Sequence, residues 1–247
     1  PPVRVSCFPD VKILPGNELI DALSTCYDQD GIDETIVICR SNKRANIYNQ
    51  GIRSQILWRE EELEGGDLLM VAKNNYYWGS ENKELDFIAN GDVAVVRRMR
   101  RVREMYGFRF ADVVLTFPDY DDLELEVKVL LDTLHSDTPA LTREQSEHLF
   151  NAVQEDYKDI TVKRERMKKL KEDPYYNALQ VKYAYAVTCH KAQGGQWKRV
   201  FIDQGYMTED MLTPDYFRWL YTAFTRATET LYLVNWPKEQ LTGNQEQ

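Results

Sequence analysis

Residues 35–39 read Thr-Ile-Val-Ile-Cys, five consecutive apolar or β-branched residues. A strand with one wet face alternates apolar and polar residues, and this one does not, so it is expected to be buried on both faces. Such strands belong to parallel sheets covered by helices, which commits the chain to an α/β architecture. The flanks agree. Ser41-Asn42 can cap a helix running to about Leu57, with Ala45, Ile47, Tyr48, Ile52 and Ile56 at its apolar positions. Upstream, Pro15-Gly16-Asn17 opens a helix whose buried stripe is Leu19, Ile20 and Leu23, and alternating Val3, Val5 and Cys7 read as a half-exposed strand.

After residue 64 the rhythm changes. Strand patterns at 68–73, 92–98, 108–117 and 123–131 follow one another with turn residues between them, such as Asn90-Gly91 and Pro118-Asp119, and no helix. Closely spaced strands of this kind predict a small antiparallel barrel set into the α/β fold. Thr142-Arg143-Glu144-Gln145 then fits a capping box, followed by Leu149, Phe150, Val153, Tyr157 and Ile160 at helical spacing. A basic run at 163–171 ends at Asp173-Pro174, where proline stops a helix. The α/β pattern resumes with strands at 183–188 and 200–202, a helix from Pro214 to about Phe224, and a closing strand at 231–234. The expected organisation is an α/β part over 1–64, a barrel over 65–135, a helical connector over 136–178 and a second α/β part over 179–247.

Composition removes several classes of function. No stretch approaches the roughly 20 apolar residues of a membrane helix, so no membrane partner is expected. Cys7, Cys26, Cys39 and Cys189 form no C-x-x-C pair and only three histidines accompany them, so no metal site is expected and the thiols read as reduced, in a cytoplasmic protein. No carboxylates cluster at nuclease-like metal spacing. The chain opens on Pro1-Pro2 with no signal-peptide pattern, and is expected to be a piece of something longer.

The 31 Lys and Arg against 40 Asp and Glu give a net charge of −9, which argues against nucleic acid only if the charge is evenly spread. It is not. Acidic residues crowd 60–64 and 119–126, while basic ones crowd 97–103 and 163–171. Arg97, Arg98, Arg100, Arg101 and Arg103 fit two descriptions: a solvated strand neutralised by the 119–126 acids, or a grip on the phosphates of a single strand. Tyr76, Tyr77 and Trp78 likewise fit barrel core and rim, or platforms for bases.

Two segments carry chemistry. In the first, an apolar strand delivers the Thr188 hydroxyl, the His190 imidazole and the Lys191 ammonium into a Gly194-Gly195 loop, whose backbone can approach an anion closely. In the second, Arg226 follows Tyr221-Thr-Ala-Phe-Thr225, so an arginine leaves the end of a buried helix and needs an anionic partner. Cys189 and His190 are neighbours on an extended segment and point to opposite faces, which disqualifies them as a nucleophile and base.

T-C-H-K-A-Q-G-G-Q-W at 188–197 followed by L-Y-T-A-F-T-R-A at 220–227 resembles motifs V and VI of superfamily 1 helicases. T-I-V-I-C-R-S-N-K-R-A-N-I-Y-N at 35–49 resembles the strand and helix that open their second motor domain, motif IVa. The H-K-A-Q-G form is most similar to the RecD/Dda branch, whose members move 5′ to 3′ on single-stranded DNA and carry an SH3-like barrel before motif V. UvrD-type motors of opposite polarity usually carry a larger helical insertion here. The resemblance implies a RecA-like, P-loop NTPase-like motor domain lacking its own P-loop, interrupted by the barrel and a helical segment. It also implies the C-terminal half of an ATP-dependent DNA helicase, with RecD-type subunits of exodeoxyribonuclease V among the enzymes it resembles, acting on single-stranded DNA and duplex junctions. It assigns Arg226 as an arginine finger for the γ-phosphate of ATP. Gly194, Gln196 and Arg40 fall to the ATP cleft, with Gln196 standing where many relatives carry glutamate. Thr188, His190, Lys191, Asn42 and Tyr221 fall to the DNA track, joined by Arg97, Arg98, Arg100 and Arg101 of the barrel.

No G-x-x-x-x-G-K-[ST] loop occurs in the sequence, and Asp33-Glu34-Thr35 precedes a strand where a magnesium-binding acidic pair would end one. ATP and Mg²⁺ are therefore expected to be held mainly by a first motor domain outside this sequence, and the chain alone is expected to be inactive as an ATPase. A module that keeps the fold and binds nucleic acid without catalysis is the alternative from a different functional class.

Overall fold

The computed structural model describes residues 3–4, 8–79 and 85–242, and the strand expected around Val5 and Cys7 lies outside them. The chain divides into two compact units, residues 1–60 with 185–247 and residues 61–184. In chain order the first unit holds β1 (Val3–Arg4), β2 (Val11–Leu14), α1 (Leu19–Asp30), β3 (Thr35–Cys39) and α2 (Asn42–Gln55). The second holds β4 (Leu68–Val71), β5 (Val93–Met105), β6 (Phe108–Phe117), β7 (Leu123–Leu130), α3 (Arg143–Asp156), α4 (Lys163–Lys171) and β8 (Leu179–Tyr183). The chain then returns to the first unit with β9 (Ala186–Thr188), β10 (Trp197–Asp203), α5 (Pro214–Phe224), β11 (Ala227–Val234) and β12 (Leu241–Thr242).

In the first unit five strands form a parallel sheet in the order β2-β11-β10-β3-β9, and β1 pairs separately with β12. All five residues of β3 are buried, as its unbroken apolar run requires. Ser41 caps α2 by accepting the Arg44 backbone N–H at 3.2 Å, and Gly31, at φ 95°, ends α1. The edge strand β9 is satisfied by a side chain: buried Asn49 on α2 donates to the Ala186 carbonyl at 2.8 Å and accepts its N–H at 2.7 Å. An amide with one donor and one acceptor face stands in for the missing neighbouring strand. The strand β2 escapes sequence reading because only its last residue is buried, and α1 starts at Leu19 because Gly16–Glu18 forms a 3₁₀ turn first.

In the second unit β4-β5-β6-β7-β8 close into a barrel. The closing strand comes from 179–183, so the single strand expected at 183–188 is two strands, one in each unit. Tyr183 to Val187 are all buried and none is charged, so nothing in the sequence marks the split between the two strands. On β5, register shifts between Val96 and Arg98 and between Met99 and Arg101 mark bulges at Arg97 and Arg100. The capping box on α3 forms as expected, with Thr142 and Gln145 exchanging hydrogen bonds. Leu149 and Val153 of α3 and Leu170 of α4 pack on Phe108, Phe110 and Leu130 of the barrel, so the helical segment is part of this unit.

Candidate functional site

Strand register sorts the chemistry-bearing residues of the first unit onto two edges of one sheet. Thr188, Cys39 and Asp203 are paired neighbours at the carboxyl ends of β9, β3 and β10. Arg40, Asn42 and His190 come immediately after those ends, at the edge where open parallel sheets bind ligands. Arg40 is exposed and lies over the Tyr216 ring at 5.8 Å, and Asn42 opens α2 behind its Ser41 cap. Beneath them Asp203 is buried and anchors the edge: it accepts from Arg44 at 2.6 Å, from the Tyr48 hydroxyl, and from the Gly205 N–H at 2.7 Å. Burial, reinforced by this carboxylate, keeps the Tyr48 hydroxyl protonated; for Arg44 burial pulls the other way and the Asp203 contacts outweigh it. Asp203 carries no signal of its own in the sequence beyond being the polar end of an apolar strand.

At the opposite edge β10 and β11 begin side by side, with Trp197 paired to Ala227. This brings Gly194, Gln196 and Arg226 together, roughly 20 Å from the carboxyl edge at about 3.3 Å per strand residue along β10. The segment 189–196 spans that distance, leaving the Thr188 end and returning at Trp197. Gly194 has φ 88° and open space around it, and Gln196 is exposed. Arg40, grouped by sequence with Gly194 and Gln196, is placed with Asn42 and Thr188 at the far edge instead.

Arg226 follows the C-terminus of α5. Its guanidinium donates to the carbonyls of Thr222 (3.1 Å) and Gly195 (3.0 Å) and to the Thr225 hydroxyl (3.1 Å). All three acceptors are neutral, and among the described residues it has no carboxylate partner. Its backbone carbonyl accepts the Trp197 N–H at 3.0 Å, so both ends of the residue are tied to the Gly195–Trp197 backbone. The positioning groups Thr225 and Gly195 are not apparent in the sequence, because they act through a hydroxyl and a carbonyl that nearly any loop could offer.

Burial pushes the half-buried Lys191 ammonium down to about 8, and pushes the Cys189 thiol up to about 11 against the opposing pull of Arg226. A thiol this far above neutrality is not a nucleophile at physiological pH. Tyr221 projects from α5 with 73% of its surface exposed, and its carbonyl accepts from Thr225.

The barrel arginines divide. The two bulged residues are neutralised: Arg100 makes a two-point pair with Glu126 at 2.6 and 3.0 Å, and Arg97 donates to Thr116 with Glu124 at 3.8 Å. Arg98 and Arg101 are exposed and carry no ion pair among the described residues. The neutralised description holds for Arg97 and Arg100, and Arg98 and Arg101 stay outside it. Among the described residues no three metal-ligating side chains gather.

Residues 183–234, which contain both motif segments and Arg226, match the family of UvrD-like helicase C-terminal domains. Over those residues the chain is similar to a UvrD-like helicase C-terminal domain. The chain is also 22% identical to an uncharacterized protein of Acanthamoeba polyphaga mimivirus, over 79% of this chain and 47% of that protein. Among solved structures it is similar to a Pif1 helicase from Bacteroides in complex with ADP-AlF3 and ssDNA, at 14% identity and TM-score 0.48, over 93% of this chain and 48% of that one. A Pif1 helicase from Candida albicans is similar at 13% identity and TM-score 0.42, over 92% and 51%. The chain thus spans about half the length of the relatives it matches.

Proposed function

We propose that this chain is the second motor half of an ATP-dependent DNA helicase of the RecD/Dda kind, moving 5′ to 3′ on single-stranded DNA. The observation that carries the reading is Arg226: a guanidinium fixed by three neutral acceptors, with its charge left uncompensated by any described carboxylate. Positioning a partly exposed arginine this way suits an anion that arrives from outside. The γ-phosphate of ATP supplies that anion and the energy of its hydrolysis when it is bound against a first motor domain. The residues present fit a transition-state role for the guanidinium, with Gly194 and Gln196 beside it. The sequence offers no phosphate loop and the described residues no metal cluster, so in this reading phosphate cradling and Mg²⁺ ligation fall to the other half.

The 189–196 segment explains how the two edges communicate. Its start presents Thr188, His190, Lys191 and, beside them, Asn42 to a strand backbone, and its end is hydrogen-bonded to Arg226. A shift of Arg226 toward an anion pulls on the Gly195 carbonyl and so on the segment that holds His190 and Lys191. Arg40 belongs with the strand-facing group in this scheme, Tyr221 with the coupling helix, and Arg98 and Arg101 with the barrel's hold on the strand. The units 61–184 and 1–60 with 185–247 then correspond to an SH3-like barrel carrying the helical connector and to a RecA-like motor domain.

The test is Arg226→Ala in the whole protein, read as ATP-driven unwinding of a tailed duplex alongside single-strand affinity. The reading requires unwinding to vanish while affinity stays near wild type, and joint loss of both would overturn it. A wild-type whole protein that binds strands but never moves on them would instead favour the non-catalytic module. The chain by itself is expected to show no steady ATP turnover above background.

A further inference from the structure

The run Lys73-Asn-Asn-Tyr-Tyr-Trp78 follows β4 in the barrel unit and takes no part in the chemistry above. It is a rigid frame. Asn75 accepts the backbone N–H groups of Tyr77 and Trp78, both at 3.1 Å, and its amide donates to the Asn177 carbonyl at 2.8 Å. The Trp78 indole donates to that same carbonyl at 2.8 Å. Beside this frame, toward α3, lies a cavity of about 240 Å³.

Its lining is selective. The Tyr76 ring is 64% exposed yet backed by Phe87, stacked at 5.1 Å, so it is a supported platform with one free face. Tyr176 contributes a second ring, held by Phe150 at 6.1 Å. Gln180 accepts the Leu141 N–H at 2.8 Å through its carbonyl oxygen, which fixes the amide and leaves its NH₂ without a partner among the described residues. The Ser146 hydroxyl and the Lys73 ammonium have no partner among the described residues either. An apolar ligand would leave Gln180 and Ser146 unpaired at a cost, and a bare phosphate would ignore both rings. A flat heteroaromatic ring with hydrogen-bonding edges and an attached anion uses all of them. The volume is below the roughly 300–1,000 Å³ of drug-sized sites, which suits one base and excludes a stacked pair.

The geometry points to a site on the barrel unit for one unstacked nucleobase of a single strand, resting on Tyr76, read by Gln180 and Ser146, with its phosphate at Lys73. The choice of a strand as the source of that base rests on the function proposed above. The 247-residue chain is irradiated with an oligodeoxythymidine carrying one 5-iodouracil, the crosslinked residue is mapped, and affinity is measured by fluorescence anisotropy. Crosslinks are expected at Tyr76 or Tyr176. Tyr76→Ala should weaken strand binding about tenfold and Tyr76→Phe should restore it, since stacking needs the ring and not the hydroxyl. Gln180→Leu should weaken binding with the rings intact. Crosslinks confined to other residues, with Tyr76→Ala binding as wild type, would overturn the site while leaving the motor reading to the Arg226 test. Equal competition by free thymidine 5′-monophosphate would overturn the strand as its ligand. Absence of any strand binding by the wild-type chain would overturn the site as well, again without touching the ATPase result.

Discussion

Arg199 and Arg226 sit at the amino edge of the same sheet and have opposite surroundings. Arg199 donates to Asp30 at 2.7 Å, approaches Glu229 at 3.1 Å, and also donates to the Thr230 hydroxyl. Arg226 makes as many hydrogen bonds, all to neutral oxygens. The first arginine is spent on the fold, because its charge is already matched. The second is equally well placed and keeps its charge available. A structural arginine and the one proposed to receive an anion are thus told apart by what accepts their protons, not by how firmly they are held.

Substituting each in turn sharpens the contrast. Arg226→Lys keeps a charge but loses the fork that reaches Gly195 and Thr225 together, and on the proposed reading the whole protein should lose at least about 10³-fold in ATP turnover. Its melting temperature should stay close to wild type. Arg199→Ala should do the reverse, costing about 2–3 kcal/mol of unfolding free energy by leaving the half-buried Asp30 without its donor, with turnover per folded molecule preserved. If Arg199→Ala lost turnover at full stability, or Arg226→Lys unfolded the chain, the division would fail.

A smaller effect separates fold from function at Lys191. Unfolded, it titrates near the ordinary 10.5, and folded at about 8. Between those values the unfolded chain binds more protons, so this residue makes stability rise as pH climbs from about 8 toward 10.5. The strand-phosphate contact proposed for Lys191 needs the ammonium and should weaken over the same rise, by roughly tenfold for one half-buried charged hydrogen bond. Lys191→Arg should flatten the affinity profile, because a guanidinium stays protonated. Identical pH profiles for the two proteins would remove Lys191 from the strand site.

These contrasts show what a linear reading can hold. The 188–197 and 220–227 segments were legible because their chemistry is contiguous, and β3 because five buried residues in a row admit one environment. The end of the barrel's closing strand was hidden because residues Tyr183 to Val187, which pass from one unit to the other, carry no charged residue to separate them. The β9 edge was completed by Asn49, a residue 137 positions away in sequence, which no local pattern reports. The division of the arginine run depends on two bulges, and a bulge changes which face a side chain takes without changing its residue type.

That division supplies the smallest and most specific prediction. Arg97 and Arg100, swung by the bulges toward Glu124 and Glu126, should behave as surface ion pairs. Arg100→Ala should cost no more than about 1 kcal/mol of stability and leave the dependence of strand affinity on salt unchanged. Arg98→Ala and Arg101→Ala, whose charges have no described partner, should each lower the slope of log affinity against log salt by about 1 and weaken binding roughly threefold at moderate ionic strength. Glu126→Ala gives the decisive complement. Removing that carboxylate releases Arg100, so if pairing alone keeps it from the strand, affinity should rise and the salt slope should steepen. An Arg100→Ala protein with a reduced slope would show that the ion pair opens on binding, and that the carboxylates of β7 compete with phosphate for all the arginines of β5 alike.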